Sequence, residues 1–122
     1  MNETSAFNPA AIERLCKLGG QKFALEMISL FGSYGGQKII EARQAQQAGN
    51  LAGLAAAAHP LKSSAGNVGA IRVQELAARI EQSAGAQEAG LANTTLGELE
   101  AAFAEAMAFL ELERKKLADS PA

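Results

Sequence analysis

Apolar residues in this chain recur every three or four positions, and this spacing constrains the fold more than any other feature. Residues at such intervals share one face of an α-helix and can be buried together. The period of two that is typical of strands is not sustained anywhere, and residues with high strand propensity, such as Val and Thr, are few. The sequence therefore predicts an all-α protein.

Caps and glycines divide the chain into five predicted helices. In order, they span residue 9 to the glycine pair at 19 and 20, residues 21–48, the segment around the only histidine, residues 70–84, and residues 95–117. Asn8 suits the cap of the first helix, and Thr95 with Glu98 suits a capping box for the last. We predict a loop at 85–93, a flexible terminus at 1–7 and a tail at 118–122, within one domain of 1–122.

Composition excludes several classes of function. The net charge is −2, aromatic residues make up 5% and tryptophan is absent, so neither a basic face nor a base-stacking platform for nucleic acid is expected. No apolar run is long enough to span a membrane, and the amino terminus lacks the pattern of a signal peptide. Cys16 is the single cysteine, which agrees with a reducing compartment. We expect a cytoplasmic protein.

The single histidine, His59, lies opposite the apolar stripe of its predicted helix. That stripe consists of Leu54, Ala58, Leu61, Ala65 and Val68. At about 100° per residue, His59 falls about 140° from the centre of the stripe and is predicted to face solvent. Its neighbours on that face are mostly small: Ala52, Ala55, Ala56, Lys62, Ser63 and Gly66. We therefore predict an exposed imidazole on a low surface with one cation a turn away.

Several chemistries fit such a histidine poorly. A bound metal would require more ligands, and the chain offers no second histidine, so neither a metal nor a cofactor is expected. A hydrolase would require an orienting acid and a nucleophile in a pocket, and an exposed helix face supplies neither. An ordinary surface histidine remains one interpretation. The other is a histidine that acts as the nucleophile toward an electrophile on another protein, with Lys62 neutralising an anionic adduct.

The stretch AAHPLKSSAGNVGA, residues 57–70, resembles the signature of histidine-containing phosphotransfer domains, AHxLKGSAxxxGA. In this resemblance His59 takes the position of the phosphoacceptor, Lys62 that of the family lysine, and Gly66 and Gly69 those of the small residues. Ala55, Ala56, Ser63 and Gly66 then form a supporting small surface. The resemblance extends over residues 30–50 and 73–82.

The resemblance implies an antiparallel four-helix bundle of up-down-up-down topology with a short additional helix at the amino end. It also implies a phosphocarrier in a multistep two-component relay. The receiver domain of a hybrid sensor kinase donates a phosphoryl group to His59, which passes it to the receiver of a response regulator. The Mg²⁺ required for transfer belongs to the receiver, and the carrier is expected to be a monomer.

Two positions depart from the family signature. Ser63 replaces a glycine, and Pro60 follows the histidine directly, where its ring and missing N–H are predicted to bend the helix near residues 56–59. Two other functions stay open. One is a helical adaptor that is not phosphorylated, and the other is the phosphoacceptor domain of a chemotaxis-type kinase, excised from a longer chain.

Overall fold

Four helices joined by turns of two or three residues form the protein in a computed structural model, which describes residues 6–119. They are α1 (Ala10–Gln47), α2 (Leu51–Val68), α3 (Ile71–Gly85) and α4 (Ala89–Asp119). Successive helices pack against one another, and α4 also packs against α1. Within the described residues the β-structure is one isolated antiparallel bridge, Phe7 to Ala70. The predicted all-α class is confirmed.

The first two predicted helices form one element with a kink. Gly20 has φ 90° and ψ 176° inside α1, a conformation that residues with a side chain rarely adopt, so the helix axis changes direction there. The non-helical Gly20 thus divides α1 at the predicted glycine pair, into a short segment before it and a long helical segment after it. The helix begins at Ala10, one residue later than predicted, and the Asn8 Oδ1 accepts a hydrogen bond from the Ala10 amide at 3.1 Å.

The predicted start of the last helix was wrong. α4 begins at Ala89, so residues 89–93 of the predicted loop are helical and the turn is limited to 86–88. Thr95 does not cap a helix: it is 2% exposed, and its hydroxyl donates to the Leu91 carbonyl at 2.8 Å. The reason is packing, because Ala92 and Leu96 are also fully buried and extend the apolar stripe of α4 by one turn.

The predicted flexible terminus and the predicted tail each include residues that are packed or helical in the structure. Phe7 stacks on Phe109 of α4, with ring centroids 4.4 Å apart and planes within 7°. The Asn8 amide donates to the Gly69 carbonyl at 2.9 Å, which attaches this segment to the turn between α2 and α3. Residues 6 and 7 are therefore packed, whereas the rest of the predicted flexible terminus, 1–5, lies outside the described residues. At the other end α4 continues to Asp119, and the remainder of the predicted tail, 120–122, is likewise outside them.

The buried face of α2 is the predicted one and determines which residues the helix exposes. All five residues of the predicted stripe are 1% exposed or less: Leu54, Ala58, Leu61, Ala65 and Val68. Burial of five apolar side chains stabilises this orientation by several kcal/mol, at about 1.5–3 kcal/mol for a large side chain. The opposite face of α2, with His59, is thereby held toward solvent.

Pro60 lies inside α2, which continues as a helix from Leu51 to Val68. The Asn50 side chain accepts a hydrogen bond from the Gly53 amide at 2.9 Å and caps the start, and Gly69 ends the helix with φ 79°. Pro60 therefore does not end the helix, and the bend at 56–59 stays a prediction. Within residues 6–119, no helix combines the length and hydrophobicity that a bilayer crossing requires.

Candidate functional site

His59 projects from the solvent-facing side of α2, as predicted, with 66% of its side chain exposed. A shallow depression beside the ring is lined by Ala52, Ala55, Ala56 and Glu81. The alanines do not rise far above the helix surface, so another macromolecule can approach the imidazole closely. The depression is open rather than enclosed, which suits a protein partner better than a small molecule.

Two more residues of the predicted small surface lie one to two turns beyond His59. Ser63 is exposed, so its hydroxyl is available at the surface. Gly66 is partly buried against α3, and an added Cβ there would lie 2.7 Å from the Gln74 Nε2. That atom is the end of a flexible side chain that can move aside, so the structure does not require glycine at position 66 for packing.

Glu81 of α3 completes the site, although it was not among the predicted site residues. Its Oε2 lies 2.6 Å from the His59 Nδ1, and its Oε1 lies 2.5 Å from the Lys62 Nζ. The predicted pair, His59 and Lys62, is thus joined by one carboxylate from the neighbouring helix. Helical periodicity relates residues three or four apart, and it contains no information on a residue 22 positions away.

The electrostatics of the three side chains favour an ionised carboxylate. The hydrogen bond from Lys62 lowers the pKa of Glu81 below its ordinary value of 4.5, partial burial opposes this effect, and the hydrogen bond to His59 adds to the lowering. The Glu81 side chain is 32% exposed. At neutral pH the site therefore contains a carboxylate between an ammonium group and an imidazole.

This arrangement selects one tautomer of the neutral imidazole. An ionised carboxylate can only accept hydrogen bonds, so the neutral ring must carry its proton on Nδ1 and donate it to the Glu81 Oε2. The lone pair then lies on Nε2. Since a nitrogen lone pair is what attacks an electrophile, the site presents a nucleophilic Nε2 on an exposed ring.

Metal-ligating side chains do not form a cluster in the part of the chain that the structure describes. Residues 6–119 contain no group of three or more His, Cys, Asp or Glu side chains close enough to hold a metal ion. Cys16 is free and half-buried, and it packs against the hydrophobic core. The candidate site is His59, Lys62 and Glu81, which are joined by two short contacts.

Comparison with known proteins assigns the chain to a family. The profile of the Hpt domain matches residues 26–113, which include the whole candidate site. The chain belongs to the Hpt domain family. It is thus a histidine phosphotransfer protein of phosphorelay signalling. A comparison with curated proteins finds no match.

This Hpt domain is also similar to a solved structure of an Hpt protein. The crystal structure of histidine-containing phosphotransfer protein B (HptB) from Pseudomonas aeruginosa PAO1 superposes with a TM-score of 0.86 at 20% sequence identity. The superposition covers 93% of this chain and 98% of the other. At this identity the match supports the fold, and the α-helical architecture of the Hpt domain is therefore preserved over almost its whole length.

Proposed function

We propose that His59 is the phosphoacceptor and that its Nε2 carries the phosphoryl group. The observation that supports this most directly is the contact between the His59 Nδ1 and the Glu81 Oε2, on a ring that is 66% exposed. An exposed ring is accessible to the active site of another protein, and the bound Nδ1 leaves Nε2 with the lone pair. A buried histidine or one with an undefined tautomer would be a poorer nucleophile for this reaction.

Lys62 is proposed to stabilise the negative charge of the phosphoryl group. Its ammonium is one helical turn from His59, and it is 35% exposed. Phosphoryl transfer depends mainly on positioning and on stabilisation of charge, so one cation beside an accessible nucleophile suffices on the carrier. The Mg²⁺ that neutralises the rest of the phosphoryl charge is proposed to be bound by the partner receiver domain.

The proposed partners are two receiver domains that dock in turn on the same face. The receiver of a hybrid sensor kinase brings an aspartyl phosphate to His59, and the receiver of a response regulator takes the group away. Ala52, Ala55 and Ala56 allow each of them to approach the ring. An interface below about 1,200 Å² is expected, because a relay must release each partner after transfer.

We further infer that the carrier is a monomer in the cytoplasm and an antiparallel bundle of up-down-up-down topology. The topology is supported by the short turns between helices that pack against each other. The compartment is supported by the single cysteine, which is free. One copy of the chain contains all three side chains of the site, so transfer requires no second copy.

Phosphotransfer from labelled receivers tests this proposal. The protein is incubated with Mg²⁺ and each candidate receiver carrying a radiolabelled phosphoryl group, and the label on the carrier is measured. We expect a label that is lost in acid and stable in alkali, as a phosphohistidine requires. The His59→Ala variant should fold normally and take up no label, whereas His59→Gln should take up none and still bind receivers.

Two results distinguish the alternatives. A wild-type protein that binds one receiver tightly and is never labelled would be an adaptor. Labelling by an isolated kinase ATP-binding domain, without any receiver as donor, would indicate the phosphoacceptor domain of a chemotaxis-type kinase. A label that persists in His59→Ala would place the phosphoryl group on another residue and refute the assignment of His59.

A further inference from the structure

The Glu81 carboxylate contacts its two partners through different oxygens. His59 Nδ1 lies 2.6 Å from Oε2, and Lys62 Nζ lies 2.5 Å from Oε1. Neither contact therefore excludes the other, and Lys62 can leave Oε1 for a phosphoryl group while Oε2 still accepts the Nδ1–H. Because Glu81 comes from α3, the position of its backbone depends on the packing of α3 against α2 and not on the chemical state of Nε2.

On the basis of the proposed phosphorylation of His59, we propose that Glu81 keeps the proton on Nδ1 in the phosphorylated state. Glu81 is in this view a positioning residue for the outgoing transfer, because it makes the ring leave as neutral imidazole. A negatively charged carboxylate oxygen in contact with the ring at 2.6 Å favours the protonated, positively charged form of the phosphorylated ring over its neutral, deprotonated form.

The incoming transfer balances without the gain or loss of a proton. The Nε2 lone pair forms the N–P bond, and the O–P bond to the donor aspartate breaks with its electron pair on the carboxylate. The ring then has substituents on both nitrogens, carries a positive charge and donates its Nδ1–H to Glu81. Opposite charges in direct contact stabilise this form.

The outgoing transfer is the reverse and depends on the same proton. A carboxylate oxygen of the accepting aspartate attacks phosphorus, and the N–P bond breaks with its electron pair on Nε2. If Nδ1 still carries its proton, the leaving group is neutral imidazole with the tautomer it had at the start. If Nδ1 has lost the proton, the leaving group is an imidazolate anion, which leaves far less readily. Retention of the proton thus makes the carrier competent to donate.

The ion pairs of the site are those of Glu81 with His59 and with Lys62. Within residues 6–119, the ionisable groups that act on Glu81 are His59 and Lys62. On α1, which also packs against α2, Lys38 and Glu41 pair with each other at 3.1 Å. Within the described residues, Glu81 is the carboxylate that contacts the His59 ring.

Titration of the phosphorylated ring tests the inference. Phosphoramidate, a small-molecule donor, is used to phosphorylate wild type, Glu81→Gln and the control Glu75→Gln, and ³¹P NMR follows the phosphoryl signal with pH. Glutamine retains an oxygen that accepts a hydrogen bond but lacks the charge. Glu75 is exposed on the same helix, so its variant removes an equal charge elsewhere on α3.

We expect the phosphorylated ring of Glu81→Gln to lose its proton about one pH unit below wild type and Glu75→Gln, a factor of about ten in proton affinity. Transfer from Glu81→Gln to an unphosphorylated receiver should be slowed about tenfold at alkaline pH, with the difference vanishing toward acid pH. In wild type, ¹H–¹⁵N NMR should show a proton on Nδ1 of the phosphorylated ring at neutral pH, a readout that requires no variant.

Other results would overturn the inference. Equal titration of wild type and Glu81→Gln, or a wild-type phosphorylated ring without a proton on Nδ1 at neutral pH, means that Glu81 does not hold the proton. A wild-type His59 that neither phosphoramidate nor any receiver phosphorylates refutes the proposed function itself, and this inference with it. The two failures are distinguishable, because the first occurs on a protein that carries the label on His59.

Discussion

Gly69 and Asn8 contact each other so closely that a side chain does not fit between them. The backbone N–H of Asn8 donates to the Gly69 carbonyl at 2.9 Å. A Cβ added to Gly69 would lie 2.3 Å from the backbone carbonyl oxygen of Asn8. Gly69 also has φ 79°, a left-handed conformation that favours glycine. This contact attaches the amino-terminal segment to the turn that ends the helix of His59.

Replacement of Gly69 by alanine should therefore destabilise the protein. We expect a loss of about 2 kcal/mol or more in the free energy of unfolding, since left-handed backbone costs alanine about 1–2 kcal/mol before the clash is counted. Urea denaturation monitored by circular dichroism measures it. The matched control is Gly97→Ala in α4, where an added Cβ meets nothing within 4 Å and a gain of up to about 1 kcal/mol is expected. Equal stabilities of the two variants would contradict the close contact.

Replacement of Lys62 by alanine should slow phosphotransfer without unfolding the protein. The ammonium is partly exposed, so its ion pair with Glu81 contributes less than about 1 kcal/mol to stability. A hydrogen bond to a charged group contributes about 1.5–3 kcal/mol, so we expect a rate about ten- to a hundredfold lower. Lys115→Ala, which removes a cation from the end of α4, serves as the control. Transfer rates unchanged at low and moderate salt would remove Lys62 from the mechanism.

Two substitutions of Thr95 distinguish a role as a helix cap from a role in core packing. In the structure its methyl group is buried and its hydroxyl donates to a carbonyl one turn earlier in the same helix. Thr95→Ser should then cost about 1 kcal/mol through the lost methyl, and Thr95→Val should cost less. A capping threonine would show the opposite order, because serine caps well and valine does not. Thermal denaturation of the two variants decides between them.

The stability of the protein should depend on pH through Glu81. Because the pKa of Glu81 is lowered in the folded state, ionisation of this group stabilises the fold above its ordinary value of 4.5. This contribution is lost as the pH falls through the lowered pKa. The difference in free energy of unfolding between wild type and Glu81→Gln should decrease as the pH falls below about 4.5. Urea denaturation from neutral to acid pH measures the difference, and a Glu75→Gln profile that matches Glu81→Gln would refute it.

The sequence by itself determined those features that depend on helical periodicity. The stripe from Leu54 to Val68 defines the buried face of α2, so the exposure of His59 followed from its angle to that stripe. Lys62 follows His59 by three residues, which places both on one side of any helix. The signature of residues 57–70 then indicated the family, and the family profile confirmed it.

Only the tertiary structure decided which residues from distant parts of the chain meet. Glu81 reaches His59 and Lys62 because α3 packs against α2. Phe7 stacks on Phe109 of α4, 102 positions away in the sequence. The start of α4 was decided in the same way. The local sequence around Thr95 predicts a cap, but Ala92 is buried in the core together with Thr95, and the helix extends back to Ala89. Local patterns specify the faces of helices, whereas the pairing of those faces depends on the packing of the whole core.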